Sequence, residues 1–111
     1  LAGKVAELIY EMTGMERVTL SNTGTEAVMT AIRIARAATK RYKIVMFSGS
    51  YHGHFDGTLV KVRELDGKLQ TVPLTCGLPQ SIVEDVLVLD YGSPESLEVI
   101  KAHKSELAAV L

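Results

Sequence analysis

Three short runs in this chain, Ile44-Val45-Met46-Phe47, Val86-Leu87-Val88-Leu89 and Leu107-Ala108-Ala109-Val110-Leu111, are apolar with no polar alternation. A strand with one wet face alternates apolar and polar residues; a strand covered on both faces does not. Such runs, separated by amphipathic stretches, predict an α/β layer: a mostly parallel sheet with flanking helices. Ligands of these sheets sit outside the carboxyl ends of the strands, so the loops that follow the strands are the candidate sites.

The helices are read from spacing. Val5, Leu8, Ile9 and Met12 recur at helical intervals between Lys4, Glu7 and Glu11, and Gly14 offers a C-terminal stop. Arg17 to Leu20 reads as a short strand. A helix is predicted from Thr25 to about Thr39, with Ala27, Ala31, Ile34, Ala35 and Ala38 as its apolar stripe, broadened by Val28 and Ile32. Glu26 in its first turn and Lys40 and Arg41 at its end suit the helix dipole. Ser48 to Gly57 is a glycine-rich loop running into a helical turn near Phe55 to Leu59. Lys61 to Ser81 is the least regular stretch, with Asp66-Gly67 as a turn and Pro73, Gly77 and Pro79 as breakers. Ser93-Pro94-Glu95 opens a further helix that reaches His103 or Lys104. No internal repeat and no low-complexity segment is visible.

Composition narrows the partners. Twelve Lys and Arg residues face 13 Asp and Glu residues, a balance that calls for neither nucleic acid nor an anionic membrane. No apolar run is long enough to span a bilayer, and no secretory signal pattern is visible. The single cysteine, Cys76, excludes an internal disulfide framework and fits a reducing compartment. The expectation is a cytoplasmic protein. The chain opens at Leu1 already in a helix and closes on an apolar run with no turn signal. Residues 1–111 are therefore expected to be one partial domain, truncated at both ends.

Two motifs carry the functional reading. Ser21-Asn22-Thr23-Gly24-Thr25-Glu26-Ala27 turns from a predicted strand through a small loop into a helix. That arrangement aims backbone N–H groups at an anion where the dipole favours negative charge. It also fits a plain helix cap, since Ser, Asn and Thr are the usual capping residues. No Walker lysine and no dinucleotide glycine pattern accompanies it, so a single phosphate monoester suits it better than a triphosphate. Phe47-Ser48-Gly49-Ser50-Tyr51-His52-Gly53-His54 places an aromatic ring and an imidazole after a strand, or alternatively a core tyrosine and solvated loop histidines. His52-x-His54-x-Asp56 imitates the start of a metallo-hydrolase pattern, but Gly57 stands where the next histidine is needed, and His103 and Cys76 are isolated. No metal is expected, and Cys76 has no local partner that would make it a nucleophile.

Taken with Arg33-x-x-Arg36-Ala37 and Lys43-Ile44-Val45, these motifs resemble the class III pyridoxal-phosphate aminotransferases, and among them the glutamate-1-semialdehyde aminomutase branch. The stretch Tyr51 to Leu59 is similar to aminotransferase domains within hybrid polyketide–nonribosomal peptide synthetases of the microcystin and nodularin type, which serve toxin biosynthesis. The resemblance implies part of the large domain of a fold-type I transferase and pyridoxal 5'-phosphate as cofactor. It implies that Gly24 and Thr25 bind the phosphate, that Tyr51 stacks on the pyridine ring with His52 beside it, and that Ser21 and Asn22 shape the loop. It further implies a homodimeric parent, an amino donor such as glutamate, and an acceptor that is a β-keto acyl chain held on a carrier protein.

The family's Schiff-base lysine and pyridine-nitrogen aspartate match no position here and are expected beyond Leu111. The segment alone is therefore expected to be inactive and poorly soluble. Three alternatives accompany this reading: a free-standing aminomutase-like enzyme, a phosphate-binding α/β enzyme that does not use pyridoxal phosphate, such as a sugar-phosphate enzyme, and a non-catalytic module of a megasynthase.

Overall fold

The computed structural model describes residues 1–111, and its organising element is strand β1 (Lys43–Phe47). Ile44, Val45 and Met46 are all buried, so both faces of β1 are covered, as its unbroken apolar run predicts. Burial of a side chain such as Ile44 or Val45 contributes about 1.5–3 kcal/mol. β4 (Val86–Leu89) and β5 (Leu107–Val110) flank β1, both parallel to it, in the order β4-β1-β5. The sheet is the parallel layer the sequence predicts.

Helix α1 (Ala2–Thr13) ends at Gly14, which adopts the left-handed conformation (φ 70°) and donates its N–H to the Tyr10 carbonyl. α1 buries none of its residues. The radius of gyration is 15.9 Å, against about 13 Å for a compact chain of this length. Residues 17–20 do not form the expected strand. The segment finds no ladder partner, because the two neighbours of the central strand are β4 and β5, and propensity alone does not make a strand.

Helix α2 (Gly24–Thr39) lies against the sheet through a face different from the expected one. Ile32 is buried and Val28, Met29 and Ala35 are half-buried, whereas Ala27, Ala31 and Ala38 are exposed and Ile34 is 58 % exposed. The helix is apolar over most of its circumference. The larger branched side chains Val28 and Ile32 meet the core cluster of Ile44, Met46, Val60, Val83, Val86 and Val88. Arg41 joins the layers: its Nη1 donates to the Lys104 carbonyl at 2.8 Å and to that of Leu107 at 3.3 Å.

The stretch read as irregular contains a hairpin. β2 (Val60–Leu65) and β3 (Lys68–Pro73) pair antiparallel in continuous register, Val60 with Pro73 through Leu65 with Lys68. Asp66 (φ 52°) and Gly67 (φ 73°) form the two-residue connection, whose paired positive angles match the twist of the strands. The hairpin is tied to the sheet where the Val88 N–H donates to the Thr71 hydroxyl at 3.3 Å. A short helix, α3 (Gln80–Val83), buries Val83 against the core. α4 (Pro94–Ala102) starts as predicted, with Ser93 as cap and Pro94 in the first turn, and ends within two residues of the expected stop. No helix is long and apolar enough to cross a membrane.

Candidate functional site

The first turn of α2 is built so that some of its amides are satisfied and others are not. Thr23 caps the helix, its hydroxyl accepting the Glu26 N–H at 3.2 Å. Glu26 completes a reciprocal capping box, Oε2 accepting the Thr23 N–H at 3.3 Å and the Asn22 N–H at 2.7 Å. The Ala27 N–H already donates to the Thr23 carbonyl at 3.1 Å. The N–H groups of Gly24 and Thr25 make no hydrogen bond to any other group of the chain. Two free donors at the positive end of a 16-residue helix are an arrangement that favours a negative group. Ser21, Asn22 and Gly24 are exposed and Thr25 is half-buried, so this helix end is open to an incoming group.

The loop after β1 is brought to this helix end. Ser48 N–H donates to the Leu89 carbonyl and Ser50 N–H to that of Phe47, which turns the chain at the carboxyl end of β1. Gly49 takes φ 80°. The loop then crosses the start of α2, where the His54 N–H donates to the Thr25 hydroxyl at 3.0 Å. Gly53 (φ 97°) lies so close that a Cβ there would stand 2.8 Å from both Thr25 Cα and Oγ1. Thr58, at the end of a short 3-10 turn (Asp56–Thr58), is buried, and its hydroxyl donates to the Phe55 carbonyl at 3.0 Å. The two sequence motifs, more than 20 residues apart, are thus in direct contact.

Tyr51 is 76 % exposed at this junction, a ring held at the surface rather than packed in the core. His52 is half-buried, and its Nε2 is enclosed without a hydrogen-bond partner. A buried imidazole nitrogen without a partner within the chain is costly unless water or a ligand meets it. No three His, Cys, Asp or Glu side chains converge on a common point. Cys76 is exposed.

The candidate residues Ser21, Asn22, Gly24, Thr25, Tyr51 and His52 therefore occupy one region, joined through the contact of Thr25 with Gly53 and His54. The contacts of four motif residues, Thr23, Glu26, Gly53 and His54, are not read from the sequence. Thr23-x-x-Glu26 is a capping-box pattern and was available as a signal. Gly53 and the His54 amide act through a long-range approach that no local pattern announces.

The family described as Aminotransferase class-III matches residues 1–111. A glutamate-1-semialdehyde 2,1-aminomutase of Deinococcus radiodurans is 44% identical over 115 residues, covering 97% of this chain and 26% of that protein. Among solved structures, an omega-transaminase from Sphaerobacter thermophilus superposes with a TM-score of 0.84 at 39% identity, over 96% of this chain and 26% of its own. A transaminase with pyridoxal phosphate bound gives a TM-score of 0.84 at 36% identity, over 98% of this chain and 26% of its own. The chain spans about a quarter of the length of the relatives it matches.

Proposed function

This chain belongs to the class-III aminotransferases, and from that membership we propose that it forms the phosphate-binding wall of a pyridoxal-phosphate site in a larger enzyme. The observation that carries the reading is the pair of free amides on Gly24 and Thr25, held open by a capping box that satisfies their neighbours. A phosphate dianion is the ligand such a seat suits. The residues fit the cofactor: a helix N-terminus for its phosphate, an exposed ring at Tyr51 for its planar face, and an enclosed, unpartnered His52 Nε2 beside it. The solved relative with pyridoxal phosphate bound supports the same cofactor.

In this reading the Gly24 and Thr25 amides and the Thr25 hydroxyl bind the phosphate, Tyr51 covers the ring, His52 lines its edge, and Ser21 and Asn22 shape the loop. When bound, pyridoxal phosphate supplies an electron sink for the carbon that exchanges its proton and its amino group. The lysine and the aspartate that complete the family's chemistry lie outside residues 1–111, so the segment alone is inactive. The parent is a homodimer that takes its amino group from a donor such as glutamate and passes it to an aldehyde or ketone.

Two acceptor classes follow from different observations. Identity to a glutamate-1-semialdehyde 2,1-aminomutase favours a small, free substrate within which the amino group is moved. The resemblance of Tyr51 to Leu59 to synthetase-embedded domains favours a carrier-bound β-keto acyl chain. Borohydride reduction of the parent with pyridoxal phosphate, followed by peptide mapping, tests the shared reading: the label falls on one lysine beyond Leu111. Absence of label, or a label on Lys40, Lys43, Lys61 or Lys68, contradicts it. Supply of amino acceptors free or carrier-bound then separates the two classes.

A further inference from the structure

The geometry points to Gly53 as a positioning residue that locks the ring-bearing loop to the phosphate seat, so that the two halves of the site bind as one unit; this rests on the cofactor reading above. Gly53 is buried at φ 97°, in the left-handed region. A Cβ at this position would lie 2.8 Å from Thr25 Cα, a backbone atom at the start of α2, and 3.1 Å from Thr25 Cβ. No side-chain rotation relieves a collision with backbone, so any residue but glycine must push the loop from the helix. The next amide, of His54, donates to the Thr25 hydroxyl at 3.0 Å. With that lone pair engaged, the hydroxyl hydrogen of Thr25 is left to donate elsewhere. The contact holds the Thr25 hydroxyl to the loop backbone at His54, two residues beyond His52 and three beyond Tyr51. A ligand that spans phosphate and ring therefore meets a preset separation, and Gly53 makes that separation rigid.

The intact parent provides the test. Affinities of the cofactor-free protein for pyridoxal phosphate and for pyridoxal are measured, and their ratio reads the advantage that the phosphate confers. Gly53→Ala is expected to lower this ratio about tenfold, because phosphate and ring can no longer both be seated. Gly67→Ala adds similar left-handed strain where a Cβ meets nothing within 4 Å, and it is expected to leave the ratio unchanged. Equal loss of both affinities in Gly53→Ala, or no change in the ratio, overturns the positioning role. If Gly53→Ala does not fold, the native protein carries the test: inorganic phosphate slows amide exchange across residues 51–57 about fivefold. Exchange there that ignores phosphate bound at the seat overturns the coupling. A native parent that binds pyridoxal phosphate no more tightly than pyridoxal contradicts the cofactor reading itself, a result distinct from failure of the coupling.

Discussion

Glu26 Oε2 accepts the Asn22 N–H at 2.7 Å, reaching back beyond the start of its own helix. The same carboxylate accepts the Thr23 N–H, and the Thr23 hydroxyl in turn accepts the Glu26 N–H. The box occupies the amides of Asn22, Thr23 and Glu26, and those of Gly24 and Thr25 make no bond within the chain. Glu26→Ala is expected to cost about 1 kcal/mol of stability and to weaken phosphate binding, since Asn22 and Thr23 lose their acceptor. Chemical denaturation and a phosphate titration of the parent read the two effects; unchanged values in both would remove the box from the account.

Gly57 makes a second constraint near the site. A Cβ there would stand 2.3 Å from the Phe55 ring, which packs on the core beside Val28. Gly57→Ala is expected to displace that ring and destabilise the parent by about 1–3 kcal/mol. Gly3→Ala, with open space around its Cβ and no left-handed backbone, serves as the control in the same melting experiment, and equal losses in the two would contradict the packing argument.

Besides the packing of Val60 in the core, one side-chain hydrogen bond ties the hairpin to the sheet. The Thr71 hydroxyl accepts the N–H of buried Val88. Thr71→Val keeps the shape and leaves that amide without a partner, for an expected loss of about 1–3 kcal/mol. Faster exchange of the Val88 amide in the variant identifies the cause; an unaltered rate would assign that amide to another acceptor.

Two carboxylates at the ends of α4 are held below their ordinary value of 4.5, Glu95 chiefly by a hydrogen bond from the Ser93 hydroxyl and Glu106 chiefly by one with His103. A carboxylate lowered on folding stabilises the protein above its unfolded value, and that contribution is lost as pH falls through the lower folded value. Ser93→Ala removes the partner of Glu95 and the cap that accepts the Ser96 N–H. It is expected to cost about 1 kcal/mol at neutral pH, with the deficit narrowing below pH 4.5. Denaturation curves across that range check the sign, since a deficit that widens on acidification contradicts it.

The isolated segment is expected to associate. Met12 and Tyr91 are each 84 % exposed and Ile34 58 %, and α1 packs on nothing that buries it. A monomeric, cooperatively melting 1–111 segment in an ultracentrifuge and a calorimeter would contradict this expectation.

What the sequence disclosed and what it withheld divide along physical lines. The apolar runs at β1, β4 and β5 disclosed a parallel sheet, because burial on both faces leaves no polar alternation. The Ser93-Pro94 start of α4 is local chemistry and was equally legible. The hairpin was misread as irregular although Asp66-Gly67 marked its turn; the neighbouring breakers obscured the pairing, which is a property of two segments together. Arg17 to Leu20 had strand-like residues but no neighbour with which to pair. On α2 apolar residues spread around much of the circumference, and only the sheet decides that Ile32 rather than Ile34 turns inward. The site motifs were visible, whereas their junction at Gly53 depends on a contact across 28 residues of chain.

The most direct measurement is a crystal structure of the parent with pyridoxal phosphate. Phosphate oxygens about 2.7–3.2 Å from the Gly24 and Thr25 amide nitrogens, with the Tyr51 ring lying over the cofactor, are the predicted result. A phosphate bound elsewhere, with these two amides facing water, would contradict the account.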